Sequence, residues 1–438
     1  MNDKNRGDDM VHNLSFTTHN SFVPRLRFPE FREAGEWQKA YLLTLFESLD
    51  AGVSVNSGDR PATSDEKGIL KTSAITDGAF YPIENKIVSD ASELERLRER
   101  VVEDTIIISR MNTPALVGAN AYIERDHEDL FLPDRLWAAK PKPGTSMRFV
   151  AYILGSGKGR AALSALATGT SGSMKNIAKA AVLGLQILTP KPDEQQKIAD
   201  CLSSLDTLIA AQADKLDALK THKKGLMQQL FPREGETVPR LRFPEFREAG
   251  EWEIKKAKFL FSNRVEHGED GLPVYSVTMN VGLAKRDSLA RKIDDISFSS
   301  GNKKVYKHDI AYNMMRMWQG ASGVAVEDCM VSPAYVILEP SDGVCAELYG
   351  YFLKLPQSLQ ALTAHSQGLT KDRLRLYYKD FAQIPLPKPP LGEQQKIAAC
   401  LSSLDTLIAA QTDKLDALKS HKKGLMQQLF PSPKAMAA

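Results

Sequence analysis

The chain repeats itself in two places, and this constrains its architecture more than any local propensity does. Fifteen residues, Val23 to Trp37 (VPRLRFPEFREAGEW), recur unchanged as Val238 to Trp252. A longer block, Glu194 to Pro232, recurs as Glu393 to Pro431 and differs only at Asp200/Ala399, Ala213/Thr412 and Thr221/Ser420. Internal repeats fix architecture ahead of any element-level reading, so the order is box, unit, long block, box, unit, long block. The intervening units, Gln38 to Asp193 and Glu253 to Gly392, are unlike in sequence. Two variable modules therefore sit in one duplicated frame. Helix propensity accepts many sequences, so near-identity over 39 positions marks either a recent duplication or one structural part used in two symmetric places.

The long block reads as a coiled-coil helix. Ile198, Leu202, Leu205, Ile209, Gln212, Leu216, Leu219, Lys223, Leu226 and Leu230 follow one another at alternating spacings of 4 and 3, the a/d pattern of a helical seam. The copy places Ile397, Leu401, Leu404, Ile408, Gln411, Leu415, Leu418, Lys422, Leu425 and Leu429 in the same way. Gln212 and Lys223 are polar sites that can fix register. One amphipathic helix is not stable alone, and its economical partner is the second copy. An internal two-fold would make the pair antiparallel, with the variable units at opposite ends. Cys201 and Cys400 fall beside the seam as packing residues.

With 438 residues, 42% hydrophobic and 25% charged, the chain is an ordinary globular one of two or three domains. Its net charge of +3 neither demands nor excludes a polyanionic partner, so any basic surface must be local. The polar N-terminus and the lack of a long apolar run predict a soluble, cytoplasmic protein. Four cysteines (Cys201, Cys329, Cys345, Cys400) without a CxxC read as thiols, and zinc has no support.

The unlike units nevertheless follow one plan. EDTIIISRMNTPALVGANAYI and HDIAYNMMRMWQGASGVAVE each read as two strands around a loop, with Asp104 and Gly118 separated by 14 residues as Asp309 and Gly323 are. A helical stretch follows each (Arg148 to Ala167; Glu347 to His365). Next comes a polar loop around Gly172 or Gly368, with Lys175 or Lys371 three residues on, and then a β-rich, proline-ended segment. Loops of this composition carry groups that grip phosphates and read base edges: Arg and Lys for phosphate and guanine, Asn and Gln for adenine, Ser and Thr for either. The candidates are Arg110, Asn112, Ser171, Ser173, Lys175 and Asn176 in the first unit. In the second they are Asn313, Arg316, Gln319, Gln367, Thr370, Lys371, Arg373 and Arg375.

Catalytic signatures are missing. LGSGKGR at Leu154 to Arg160 departs from a P-loop, with Tyr152 in place of the first glycine and Gly159 in place of the magnesium-binding hydroxyl. PDEQQK at Pro192 to Lys197 lacks its aspartate in the copy, and neither a dinucleotide fingerprint, an adenine-methyltransferase motif nor a histidine metal spacing occurs.

EQQKIADCLSSLDTLIAAQADKLDALKTHKKGLMQQLF, repeated after each variable unit, resembles the conserved helical regions of the specificity subunits of type I restriction-modification systems. GTSGSMKNI and SQGLTKDRL resemble that family's target-recognition loops. The likeness runs from about Val23 to Pro431 and implies an α+β chain in which two α/β target-recognition domains are separated by a two-helix antiparallel coiled coil with an internal pseudo-two-fold repeat. Its parts would be a polar extension (1–22), recognition domains (23–192 and 233–392), helical regions (193–232 and 393–431) and a tail (432–438). The resemblance further implies a non-catalytic reader of a bipartite, asymmetric site in double-stranded DNA, with no cofactor of its own. Two methylation subunits carrying S-adenosylmethionine and two restriction subunits using ATP and magnesium would be its partners. Two other classes stay open on the residues alone: a coiled-coil scaffold that binds proteins, and a self-contained DNA-modifying enzyme.

Overall fold

A computed structural model describes residues 22–76, 78–169, 174–279, 281–288, 301–370 and 373–431. The chain is α+β and divides into two compact units, residues 1–210 with 416–438, and residues 211–415. Both divisions fall inside the long helices, Pro192–Leu230 and Leu391–Leu429.

In the first unit, four antiparallel strands lie in the order Phe46–Ala51, Leu136–Pro141, Thr105–Ser109, Asn120–Ile123. Strand Thr105–Ser109 is buried at every residue and carries the apolar run Ile106–Ile108 without alternation because both of its faces are covered. Ile106 and Ile108 pack with Trp137, Phe149 and Val150 against Ile198, Leu202 and Leu429 of the long helices. Ile107 faces a second core with Leu70, Ile75 and Leu132. Entry and exit strands Gln38–Tyr41 and Gln186–Thr189 pair with each other and close the variable segment.

The second unit repeats this order with Phe261–Arg264, Tyr335–Pro340, Ile310–Asn313 and Ser322–Val324. Ile310 and Tyr312 pack with Tyr349 and Phe352 against Leu230, Ile397 and Leu401, while Ala311 and Ile337 face Tyr275, Val305 and Val331. Strands Glu253–Lys256 and Pro385–Lys388 close it.

The repeated box is a docking piece for the long helices. The Arg27 guanidinium donates from Nε to Glu194 Oε1 (2.8 Å), from Nη2 to Oε2 (2.6 Å) and from Nη1 to the carbonyl of Gly35 (2.6 Å); Trp37 Nε1 adds a bond to Oε1 at 3.4 Å. The copy repeats every contact: Arg242 meets Glu393 at 2.7 Å twice and Gly250 at 2.6 Å, and Trp252 Nε1 meets Glu393 Oε2 at 3.2 Å. A fork-to-fork Arg–carboxylate pair fixes both distance and angle, so box and block have a structural reason to stay paired in sequence.

Within the first unit, Lys422 Nζ of the second long helix donates to Asp206 Oδ1 of the first at 2.5 Å. Within the second unit, Lys223 Nζ donates to Asp405 Oδ1 at 2.5 Å, and the amide of Gln212 donates to the side chain of Gln411. The helices are therefore antiparallel, and the polar seam positions have polar partners across the seam. Ile198, Leu202, Leu216, Leu230, Ile397, Leu401, Leu415 and Leu429 are buried, and Leu205, Ile209, Leu219, Leu226, Leu404, Ile408, Leu418 and Leu425 are half-buried.

Two correspondences drawn from spacing are corrected by hydrogen bonding. Asp104 donates its N–H to the carbonyl of Ile123 (3.0 Å), and the residue that does this in the second unit is His308, to Ala325 (2.9 Å). Both carry left-handed backbone, with φ of 54° and 73°. The turn glycines are Gly118 (φ 73°) and Gly320 (φ 85°), so Asp309 and Gly323 owe their 14-residue spacing to a differently sized loop. The lysines differ likewise. Thr168 pairs with Asn176, and Gln367 with Arg375; Ile177 N–H meets Arg110 O and Leu376 N–H meets Met314 O, each at 2.9 Å. The glycines that open the loops are thus Gly169 and Gly368, both with positive φ, and Leu374 stands in the place of Lys175. At Gly368 a Cβ would lie 2.5 Å from the carbonyl oxygen of Arg373, so this corner accepts only glycine.

LGSGKGR is a helix start. Ser156 Oγ caps helix Gly157–Ala165 by accepting from Gly159 N–H at 3.1 Å, and a Cβ on Gly159 would lie 2.0 Å from the carbonyl oxygen of Ile153.

Candidate nucleic-acid interface

Three short strands form a corner beside the main sheet of the first unit: Ala167–Thr168, Lys175–Ile177 and Met111–Asn112. Asn112 pairs with Lys175 and Met111 with Asn176, so the structure brings together Arg110, Asn112, Lys175 and Asn176 from segments more than sixty residues apart. Each then shows a different availability. The Arg110 guanidinium lies 5.5 Å over the Trp137 ring with Nε buried and unpartnered among the described residues. Stacking of this kind holds an arginine plane in one orientation. Lys175 is half-buried, and its Nζ donates to the carbonyl of Gly169 at 2.6 Å. Asn176 Oδ1 is buried and has no partner among the described residues. Asn112 spends its amide locally, its Oδ1 accepting from Thr113 N–H at 2.8 Å and its Nδ2 donating to Ser109 Oγ at 3.3 Å. Ser171 and Ser173 lie outside the described residues.

The second unit builds the same corner from Met314, Gln367 and Arg375. Arg316 is exposed and its Nη1 donates to Gln319 Oε1 at 3.2 Å, which orients both side chains on one turn. Asn313 Oδ1 accepts from Met315 N–H at 3.0 Å and shapes that turn. Gln367 Nε2 donates to Asp380 Oδ2 at 2.9 Å. Thr370 and Arg373 are exposed and joined by a backbone bond of 2.9 Å, and Arg375 is exposed. Lys371 lies outside the described residues. Between Gly368 and Thr370, Leu369 is 97% exposed.

Sequence reading missed Arg135, exposed beside Arg110, whose N–H its carbonyl accepts at 3.0 Å. Only strand pairing reveals it, because Arg135 is 25 residues away in the chain. Exposed guanidinium and ammonium groups around short antiparallel strands suit contact with phosphates and base edges. Among the described residues no cluster of three His, Cys, Asp or Glu side chains is placed to hold a metal, no helix is long and apolar enough to cross a membrane, and the four cysteines are free.

A family model described as "Type I restriction modification DNA specificity domain" matches residues 62–221 and again 252–420. The type I restriction enzyme MjaVIII specificity subunit of Methanocaldococcus jannaschii is 29% identical over 149 residues, 33% of each chain. The match thus spans a third of that relative. The putative type I restriction enzyme MjaX specificity subunit of the same organism is 22% identical over 419 residues, 90% of this chain and 93% of the relative. The crystal structure of the type I restriction-modification system S subunit from M. genitalium shares the fold with a TM-score of 0.60 at 16% identity, covering 94% of this chain and 99% of that one.

Proposed function

Because the chain belongs to the family of type I restriction-modification DNA specificity subunits, the non-catalytic members of those systems, we propose that it reads a bipartite, asymmetric site in double-stranded DNA. Residues 23–192 and 233–392 are the two target-recognition domains, and each addresses one half-site. The observation that carries this reading is a single corner built twice on the same strand order and furnished with different side chains: Arg110, Lys175 and Asn176 in one, Arg316, Arg373 and Arg375 in the other. One fold with exchanged polar groups is what two readers of different sequences require.

The split follows from binding arithmetic. A reader of a few base pairs is weak, and joining two makes the second binding event intramolecular. The proposal extends to two methylation subunits, which supply S-adenosylmethionine chemistry, and two restriction subunits, which supply ATP- and magnesium-dependent chemistry. The specificity-subunit family carries no cofactor itself.

Copurification of the encoded partner subunits with this chain, followed by a salt titration of DNA binding, tests the proposal. The expected result is a complex with methyltransferase subunits whose affinity for its own site falls linearly in log–log form with salt. A chain that recruits proteins yet leaves DNA affinity unchanged by its presence is a scaffold, and turnover by the isolated chain makes it an enzyme; either overturns the reading.

A further inference from the structure

Among the described residues, each variable unit makes a side-chain-to-side-chain hydrogen bond to the long helices, and in both it is made by a tyrosine. In the first unit, Tyr152 of helix Met147–Gly155 donates its hydroxyl to Asp206 Oδ2 at 2.7 Å. The other carboxylate oxygen accepts from Lys422 at 2.5 Å, and the lysine amine stands 5.0 Å over the Tyr152 ring. In the second unit Tyr351 of helix Ala346–Phe352 donates to Asp405 Oδ2 at 2.7 Å, Oδ1 accepts from Lys223 at 2.5 Å, and Lys223 stands 4.9 Å over the ring. Three elements meet in each triad, and every pair of them touches. Asp and Lys come from the near-identical blocks, whereas the tyrosines come from segments that otherwise differ. Each sits at the sixth position of its helix.

The Arg–Glu–Trp clasp ties the frame to itself; the tyrosine ties the variable unit to the frame. An apolar contact between a helix and a sheet can slide, because burial is non-directional. A hydroxyl bonded to a carboxylate whose second oxygen is held by an ammonium cannot rotate or shift without losing a charge-assisted bond. We propose that Tyr152 and Tyr351 are positioning residues, keys that hold each recognition domain at a fixed angle on the long helices and thereby set selectivity for the spacer between half-sites. The consequence for exchange is specific: a foreign unit is accepted with full selectivity when it brings a tyrosine to this helix position. The spacer clause rests on the DNA reading proposed above.

Two measurements on the assembled complex test this. Paired spin labels at Glu128 and Thr207, both exposed and both in the first unit, report the distance between variable segment and long helix. Tyr152→Phe keeps the ring and removes the hydroxyl, and Asp206→Asn keeps an acceptor and removes the charge, giving a second variant should the first fold poorly. The expected outcome is a narrow distance distribution in the parent and a broadened one in both variants. In parallel, preference for the native spacer over spacers one base pair longer or shorter should fall on the order of fivefold, while affinity for an isolated half-site stays within about twofold. An unchanged distance distribution overturns the key. A broadened distribution with undiminished spacer preference overturns its role in selectivity. A parent complex with no spacer preference refutes the DNA reading instead, and the distance measurement still decides whether the tyrosine is a key.

Discussion

Glu393 is fully shielded from solvent, a position that a carboxylate occupies only with a matched cation. Arg242 supplies that cation in fork geometry, with a side chain 7% exposed. Removing one partner of a buried pair leaves an uncompensated charge, which costs about 3–5 kcal/mol. Arg242→Ala should therefore lower the stability of the second unit by about that amount in denaturant unfolding, and a loss below about 1 kcal/mol, the worth of an exposed pair, would contradict the assignment. At the corner, Lys175→Ala and Arg375→Ala should each weaken DNA binding and reduce the salt slope by about one ion. Unchanged affinity and slope would return both to ordinary surface residues. Residue types were legible in the sequence at this scale, since Arg110, Lys175 and Asn176 do converge. Their counterparts were not, because the loop after Ser109 is longer than the loop after Asn313 and an equal spacing fell on unequal positions.

The seam of the long helices was legible, because a 4-3 spacing sustained through ten positions admits one seam, while the helices themselves begin at Pro192 and Leu391 and end at Leu230 and Leu429, one or two residues from the bounds read as 193–232 and 393–431. Their pairing followed from economy and their direction from an internal two-fold, and the bonds Lys422–Asp206 and Lys223–Asp405 supply its physical cause. The tyrosine keys were not legible: one Tyr on an apolar helical face reads as core until its hydroxyl is seen to meet a carboxylate of another element. Helix length should act as a ruler. An insertion at the helix start would carry Glu194 away from Arg27, so the place for it is the division between compact units, after Ala210 in one helix and after Leu415 in the other, where the contacts within each unit stay intact. One heptad in each helix adds about 10 Å and should lengthen the preferred spacer by about three base pairs at roughly 3.4 Å each. The methylated motif of the variant is the readout, and an active variant that keeps the original spacer refutes the ruler.

At the scale of the whole molecule, duplication gives each unit its own set of parts. Each compact unit holds a four-stranded sheet, a corner, one Arg–Glu–Trp clasp and one tyrosine key, assembled from its own box, its own variable segment and portions of both long helices. A sequence can therefore change between the closing strands Gln38–Tyr41 and Gln186–Thr189 while every contact of the second unit is left in place. Independence of the two readers is the central claim, and methylome sequencing tests it most directly. A host carrying the intact system should show one motif made of two specified halves around an unspecified spacer of fixed length. Replacing residues 38–193 by the corresponding unit of a relative that brings its own tyrosine should change one half of that motif and leave the other half and the methylated strand pattern within it intact. A single continuous motif in the parent, or altered specificity in both halves of the exchanged protein, would contradict the account.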